Sequence, residues 1–326
     1  MPGYILKNGI YQTPESGFDR VFDLIFSPQS KTTTSYKFVL LSAILNNIFN
    51  ADAQLRLPLR TLFDHFAEAF WNLSIRQGLY QIGSGRQTAI RKVLETHRLT
   101  HGIAKDVAFE NIPNRDAVVD KVLKEGRRYV LGALFGDSDG SLYSFSKDWD
   151  YIQLNPDFYD YARFHRLAIM DRNNYAWARY LEAANPASQC GHILTHLDFA
   201  NKRQNLTIYR SVLQAYRDTC FYCGASRTRT WEVDHFVPWS FVKDDRIWNM
   251  ALACRTCNNT KRDRIPPEPY FDRLREQNDR LPTVLYDSHG NAMRVKEQFA
   301  TYRTDRLTEL YDTALRHLRV WEPSRG

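Results

Sequence analysis

Apolar residues recur every three or four positions in Phe18, Val21, Phe22 and Ile25, and again in Leu59, Leu62, Phe63, Phe66 and Phe70. That spacing gathers one face of an α-helix. Pro58 suits the start of the second stripe. Residues 35–45 are apolar almost throughout and follow Thr32, Thr33 and Thr34, which offer caps, so a buried helix is expected there. Residues 85–99 and 114–124 continue the helical period. The cluster from Gly136 to Gly140 breaks it with turn chemistry, and residues 141–145 and 151–154 read as short strands. Asp137 and Asp139 hint at a calcium loop, but the twelfth-position Glu of such a loop is missing, so a plain turn is expected. Helical spacing returns from Pro156 to about Ala184 and must stop at Asn185-Pro186. A further helix is expected at about 193–218, then a cysteine-rich segment, then helices at 268–278 and 292–320 around a turn at 287–290. The pattern predicts a mainly α chain in two parts: a helical domain at 1–186, and a domain at 187–326 holding the cysteine-rich segment and C-terminal helices.

Composition supports packed domains over disorder, with 43% hydrophobic residues, 19 Phe, 18 Tyr and 7 Trp in 326 residues. The longest apolar stretch, 38–45, is far short of a membrane span, which needs about 20 residues. The first residues carry no charged segment followed by an apolar one. A cytoplasmic protein with no membrane partner is the expectation. Charge adds a location: of the formal +7, residues 202–264 contribute +6. Such a basic segment suits a phosphate-bearing partner.

The cysteines are more informative. Four of the five form two C-x-x-C pairs, Cys220/Cys223 and Cys254/Cys257, with 30 residues between the pairs. Four thiolates at this spacing make the tetrahedral all-sulfur set of a closed structural zinc site, so Zn²⁺ is expected. Cys190 is a bystander. His192 and His196 stand four apart but lack the Glu of a metal-binding helix motif, and ordinary roles are expected for them.

Between the pairs lies Asp234-His235 on an expected strand, where neighbouring side chains point to opposite faces. Asn249 falls on a second expected strand, and Asn258 follows the last cysteine at the start of an expected helix. Hairpin plus helix, closed by zinc, is a ββα unit. The order C-x-x-C, Asp-His, Pro, Ser, Asn, C-x-x-C-Asn, Lys resembles the HNH endonucleases, or ββα-metal nucleases, over residues 220–264.

The resemblance implies metal-dependent hydrolysis of DNA, leaving a 5′-phosphate and a 3′-hydroxyl. It makes Asp234 a metal ligand, His235 the general base, Asn249 the residue that orients the loop carrying the base, and Asn258 the third signature residue and second ligand. The family's habit of placing this ligand directly after the last cysteine favours Asn258 over Asn259. Carboxylate and amide oxygens suit Mg²⁺ or Mn²⁺. Lys261 is implied to meet backbone phosphate, and Arg229, Arg255 and Arg262, with Arg227, Lys243, Arg246 and Arg264, to neutralise phosphates flanking the cut. By resemblance the setting is bacterial restriction or anti-phage defence, with room for a homodimer or a defence partner protein. Two other readings are an adaptor with an idle HNH unit and an RNA-directed nuclease or toxin.

Overall fold

The computed structural model describes residues 8–322 except 16, 28–29, 31, 84–85, 128, 190–192, 194–196, 198–204, 227–229, 243, 285–294, 296–297 and 300–301. The chain divides into two compact units, Met1–Lys202 and Arg203–Gly326.

In the first unit the elements run β1 (Asn8–Gly9), α1 (Gly17–Phe26), α2 (Tyr36–Asn46), β2 (Arg56–Pro58), α3 (Leu59–Phe70), α4 (Ala89–Thr100), α5 (Arg115–Gly126), α6 (Val130–Asp137), β3 (Tyr143–Ser146), β4 (Tyr151–Leu154) and α7 (Pro156–Ala184). Helix α2 is the centre: every residue from Tyr36 to Leu45 is buried, and α3, α6 and α7 pack around it. An all-round apolar helix has to be covered on every side. The expected stripes of α1 and α3 face the core, and Pro58 stands directly before α3, as expected.

The two expected strands form a hairpin at the middle of an antiparallel sheet of order β1-β3-β4-β2. The outer strands β1 and β2 were not anticipated, being only two and three residues long. Nor was α6, whose glycines and short length hide its period. The turn after it is a turn, with Asp139 and Gly140 both at positive φ. Asp137 has another use: its carboxylate meets the buried ammonium of Lys37 at 3.0 Å, while Ile25 O and Ser30 Oγ accept from the same nitrogen at 2.9 and 2.6 Å. Burial pulls the Lys37 amine below its ordinary range, and the Asp137 charge works against that pull.

Close packing at the end of α5 supplies a test. A Cβ on Gly126 would press into the Phe63 ring and stand 3.3 Å from Ile90 Cδ1. Gly126→Ala is expected to destabilise the first unit by about 1–3 kcal/mol through overpacking, outweighing the gain from a better helix former. A chemical-denaturation midpoint equal to wild type would contradict this.

The second unit contains α8 (Thr207–Tyr216), β5 (Trp231–His235), α9 (Trp239–Val242), β6 (Met250–Cys254), α10 (Arg255–Lys261), α11 (Glu268–Val284) and α12 (Thr304–His317). Strands β5 and β6 pair antiparallel, with Trp231 opposite Cys254 and His235 opposite Met250. A lone hairpin is marginal in water, and three helices support this one. Apolar side chains of α8 pack with Val233, Met250 and Leu252. Helix α10 lies against both strands. Helix α11 sends Gln277 and Asn278 to donate to the carbonyls of Met250 and Trp248 at 2.8 and 2.7 Å.

Asn249 corrects the expected secondary structure. It ends a short turn, Ile247–Asn249, directly before β6 and is not on the strand. Of the helix expected at 193–218, Thr207–Tyr216 is described as α8; Ile193 and Leu197 are helical, Asn205 and Leu206 are not, and the rest of 190–204 lies outside the described residues. The helix expected at 292–320 is described as α12, and the turn expected at 287–290 lies outside the described residues. Among the described residues no helix is long and apolar enough to cross a membrane.

Candidate active site

The sequence between the cysteine pairs folds so that one strand divides two chemistries. On β5 the side chains alternate: Val233 joins the apolar core shared with α8, so His235 points to that side and Glu232 and Asp234 point to the other. Bonds from α10 mark that other side. Asn258 Nδ2 donates to Glu232 Oε2 at 2.7 Å, and Lys261 Nζ reaches both Asp234 oxygens at 3.1–3.2 Å.

Asp234 is 6% exposed and also accepts a hydrogen bond from the Tyr222 hydroxyl. Burial first, and then the Asp234 charge, push the Tyr222 hydroxyl well above its ordinary range, so it acts as a donor. Glu232, Asp234 and Asn258 together offer two carboxylates and an amide oxygen, hard donors suited to a divalent cation. A cation held there would share Asp234 with Lys261.

Lys261 corrects an expectation. Expected at backbone phosphate, it is 0% exposed, and its ammonium also donates to His235 O at 2.8 Å. Its methylene stem and charge are spent inside the unit, tying α10 to β5. Arg255 and Arg262 are exposed at the two ends of α10. Arg262 adopts φ 50°, a conformation rare for a side-chain-bearing residue. Arg229 lies outside the described residues.

On the opposite side His235 is 5% exposed and its Nε2 stands 2.7 Å from Asp245 Oδ1. Asn249 sits beside it as a clamp: its Oδ1 accepts from Val237 N and its Nδ2 donates to Val237 O, both at 2.9 Å. That pair fixes the backbone two residues beyond the histidine, which is why Asn249 belongs in the turn and not on the strand.

The cysteines close the unit. The ligand sulfurs of Cys220, Cys223, Cys254 and Cys257 all lie within 4.8 Å of one another, and Cys223 and Cys254 Sγ are 3.8 Å apart. A tetrahedron with metal–sulfur bonds of about 2.3 Å has edges of about 3.8 Å, so the cluster is compatible with a zinc site. Cys254 N donates to Cys220 Sγ at 3.3 Å, and Gly224, at φ 73°, lets the first knuckle turn back so that its N–H reaches Cys220 O at 3.0 Å. Burial and then the Cys220 charge push the Cys257 thiol far up. Four crowded sulfurs stay thiolates only if a cation neutralises them.

Three neighbours of the site went unnoticed in the sequence: Tyr222, Glu232 and Asp245. Glu232 had a signal, standing two residues before Asp234 and so on the same face. Tyr222 and Asp245 had none, since each is brought in by the fold from a knuckle and a loop.

Residues 220–264 match the family model described as HNH endonuclease. A protein described as a probable HNH endonuclease, from Lactococcus phage SK1, is 36% identical over 70 residues, covering 19% of this chain and 71% of that relative. The chain belongs to the HNH endonuclease family. The match is confined to the segment holding both cysteine pairs, Asp234, His235, Asn249 and Asn258. No solved structure matches the chain significantly.

Proposed function

We propose that this HNH family member is a metal-dependent endonuclease that hydrolyses DNA phosphodiester bonds to a 5′-phosphate and a 3′-hydroxyl. The observation that carries the reading is the division across β5: hard oxygen donors face α10 while an imidazole faces the other way, backed by a carboxylate. Metal and base would then act from different sides of one strand.

Asp234 and Asn258, with Glu232 beside them, would hold Mg²⁺ or Mn²⁺. When bound, such an ion supplies Lewis acidity at the scissile phosphate and at the leaving 3′ oxygen. His235 takes the proton from the attacking water, whose oxygen bonds to phosphorus as the P–O3′ bond breaks, and the departing 3′ oxygen is protonated from solvent to give the 3′-hydroxyl. Asn249 holds the backbone beyond His235 so that the ring keeps its place. The four cysteines would hold Zn²⁺ and contribute folding, with no part in the chemistry. The exposed Arg255 and Arg262 suit phosphate on either flank, a contribution that weakens with salt. Residues 1–186 would select substrate or partner, in a setting such as restriction or anti-phage defence.

Supercoiled plasmid incubated with the full chain and Mg²⁺ or Mn²⁺ is expected to be nicked, and excess chelator is expected to stop the reaction. His235→Ala should slow cleavage by about 10²–10⁴-fold. Nicking that persists at the wild-type rate in His235→Ala would refute the assignment, and cleavage of RNA with plasmid untouched would move the substrate class.

A further inference from the structure

Outside the ββα unit, two charged or titratable clusters have structural partners. The Arg60, Asp64, Arg115 and Asp116 cluster is a surface ion-pair network. His97 and His101 bond backbone carbonyls at 2.9 and 3.0 Å. Inside the unit, the Asp245 carboxylate is a group to which the HNH signature gives no role.

Its chemistry is specific. An ionised carboxylate only accepts hydrogen bonds, so the 2.7 Å contact requires a proton on His235 Nε2. A neutral imidazole carrying its proton there presents Nδ1 as the acceptor. Among the described residues none bonds to Nδ1. Asp245 is buried, as is His235, so little water competes for the contact.

The loop that carries Asp245 is itself held. Tyr209 of α8 donates to Asp245 O at 2.9 Å, Gln298 Nε2 donates to the Tyr209 hydroxyl at 2.9 Å, and Gln298 Oε1 accepts from Ile247 N at 2.8 Å. Gln298 thus ties α8 to the backbone just past Asp245. A carboxylate anchored on both sides and aimed at one ring nitrogen is the arrangement that sets a tautomer.

We infer that Asp245 is a positioning residue for the base: it holds His235 in the Nε2–H form, with Nδ1 free to take the proton of the attacking water. The inference rests on the reading of His235 as base. Asp245 acts through the imidazole and not on the reacting atoms. It keeps its own charge while the proton moves from water to Nδ1, and it stabilises the imidazolium that results.

The test joins kinetics with ¹⁵N NMR of histidine-labelled protein. Wild type should show His235 protonated on Nε2, assigned by its loss in His235→Ala. Asp245→Leu should lose that preference and lower kcat about a hundredfold, with KM for plasmid and metal content close to wild type. Asp245→Asn, which keeps an acceptor but loses the charge, should recover part of the rate. If Asp245→Leu fails to fold, as judged by metal content and melting, the wild-type spectrum and the Asn variant still decide. An Nδ1–H form in the wild type, or cleavage within threefold of wild type in the folded variants while His235→Ala is inactive, would overturn the role of Asp245 and leave the nuclease reading standing. A wild-type chain that cleaves no nucleic acid would overturn both.

Discussion

Stripping the metal from the four-cysteine cluster is expected to unfold the second unit and abolish cleavage, while the first unit keeps its helical core. The cluster clamps three pieces that otherwise meet through one small core and a few buried polar contacts. Cys220 and Cys223 belong to a loop, Cys254 ends β6, and Cys257 lies in α10, the helix that carries Asn258 and Lys261. Without the cation the sulfurs are crowded thiols, and burial first, then the Cys220 charge, hold the Cys257 thiol up. Structural zinc binding contributes about 10–16 kcal/mol in small zinc-dependent folds, which matches or exceeds the whole stability of an ordinary domain, about 5–15 kcal/mol. Cys254→Ser should therefore behave like chelation. Metal analysis should find about one zinc per chain in wild type and much less in the variant. Hydrogen exchange should show protection lost in β5, β6 and α10 but kept in α2 and α7. A variant that retains full zinc and wild-type protection in β6 would show that the cluster does not hold the fold.

How much of this was legible in the sequence depended on where each interaction reaches. Helices α1, α2, α3 and α7 announced themselves because their faces are set by period, and the β3–β4 hairpin by alternation after a turn. Strands β1 and β2 have too few residues for any period and exist only because the hairpin offers them an edge. Helix α6 hides its period in glycines. In the site, the cysteine pairs were legible by spacing, while Asp234-His235, Asn249 and Asn258 stood out through the resemblance the segment carries. Asp245 was not legible. It lies ten residues from His235 in a loop whose course is set by Tyr209 and Gln298, residues that are 36 and 53 positions away from it in the chain. Lys261 was located correctly and its partner missed, because burial of a lysine cannot be read from the four positions that separate it from a cysteine.

The buried Lys261–Asp234 pair carries the second large effect. Lys261→Met is expected to cost the second unit about 3–5 kcal/mol, the range for removing one partner of a buried ion pair. The methionine fills nearly the same volume, so packing is little changed. What changes is the charge: Asp234 keeps its place on β5 at 6% exposure with the Tyr222 hydroxyl still donating to it, and His235 O loses the Lys261 donor. The size of the loss follows from desolvation and not from the attraction, so it should shrink when the stranded charge is also removed. Asp234→Asn combined with Lys261→Met is expected to recover much of the stability, and a double-mutant cycle in denaturant would give a coupling energy of several kcal/mol. A divalent cation is a second way to neutralise the stranded carboxylate. If Asp234 is a metal ligand, Mg²⁺ or Mn²⁺ should raise the midpoint of Lys261→Met more than that of wild type, and should do nothing for the double variant. Equal stabilisation of all three proteins would separate Asp234 from the metal. A Lys261→Met protein as stable as wild type would mean that the ammonium at Asp234 merely replaces water, and that the cysteines, the Asn258–Glu232 bond and packing suffice to hold α10 to β5.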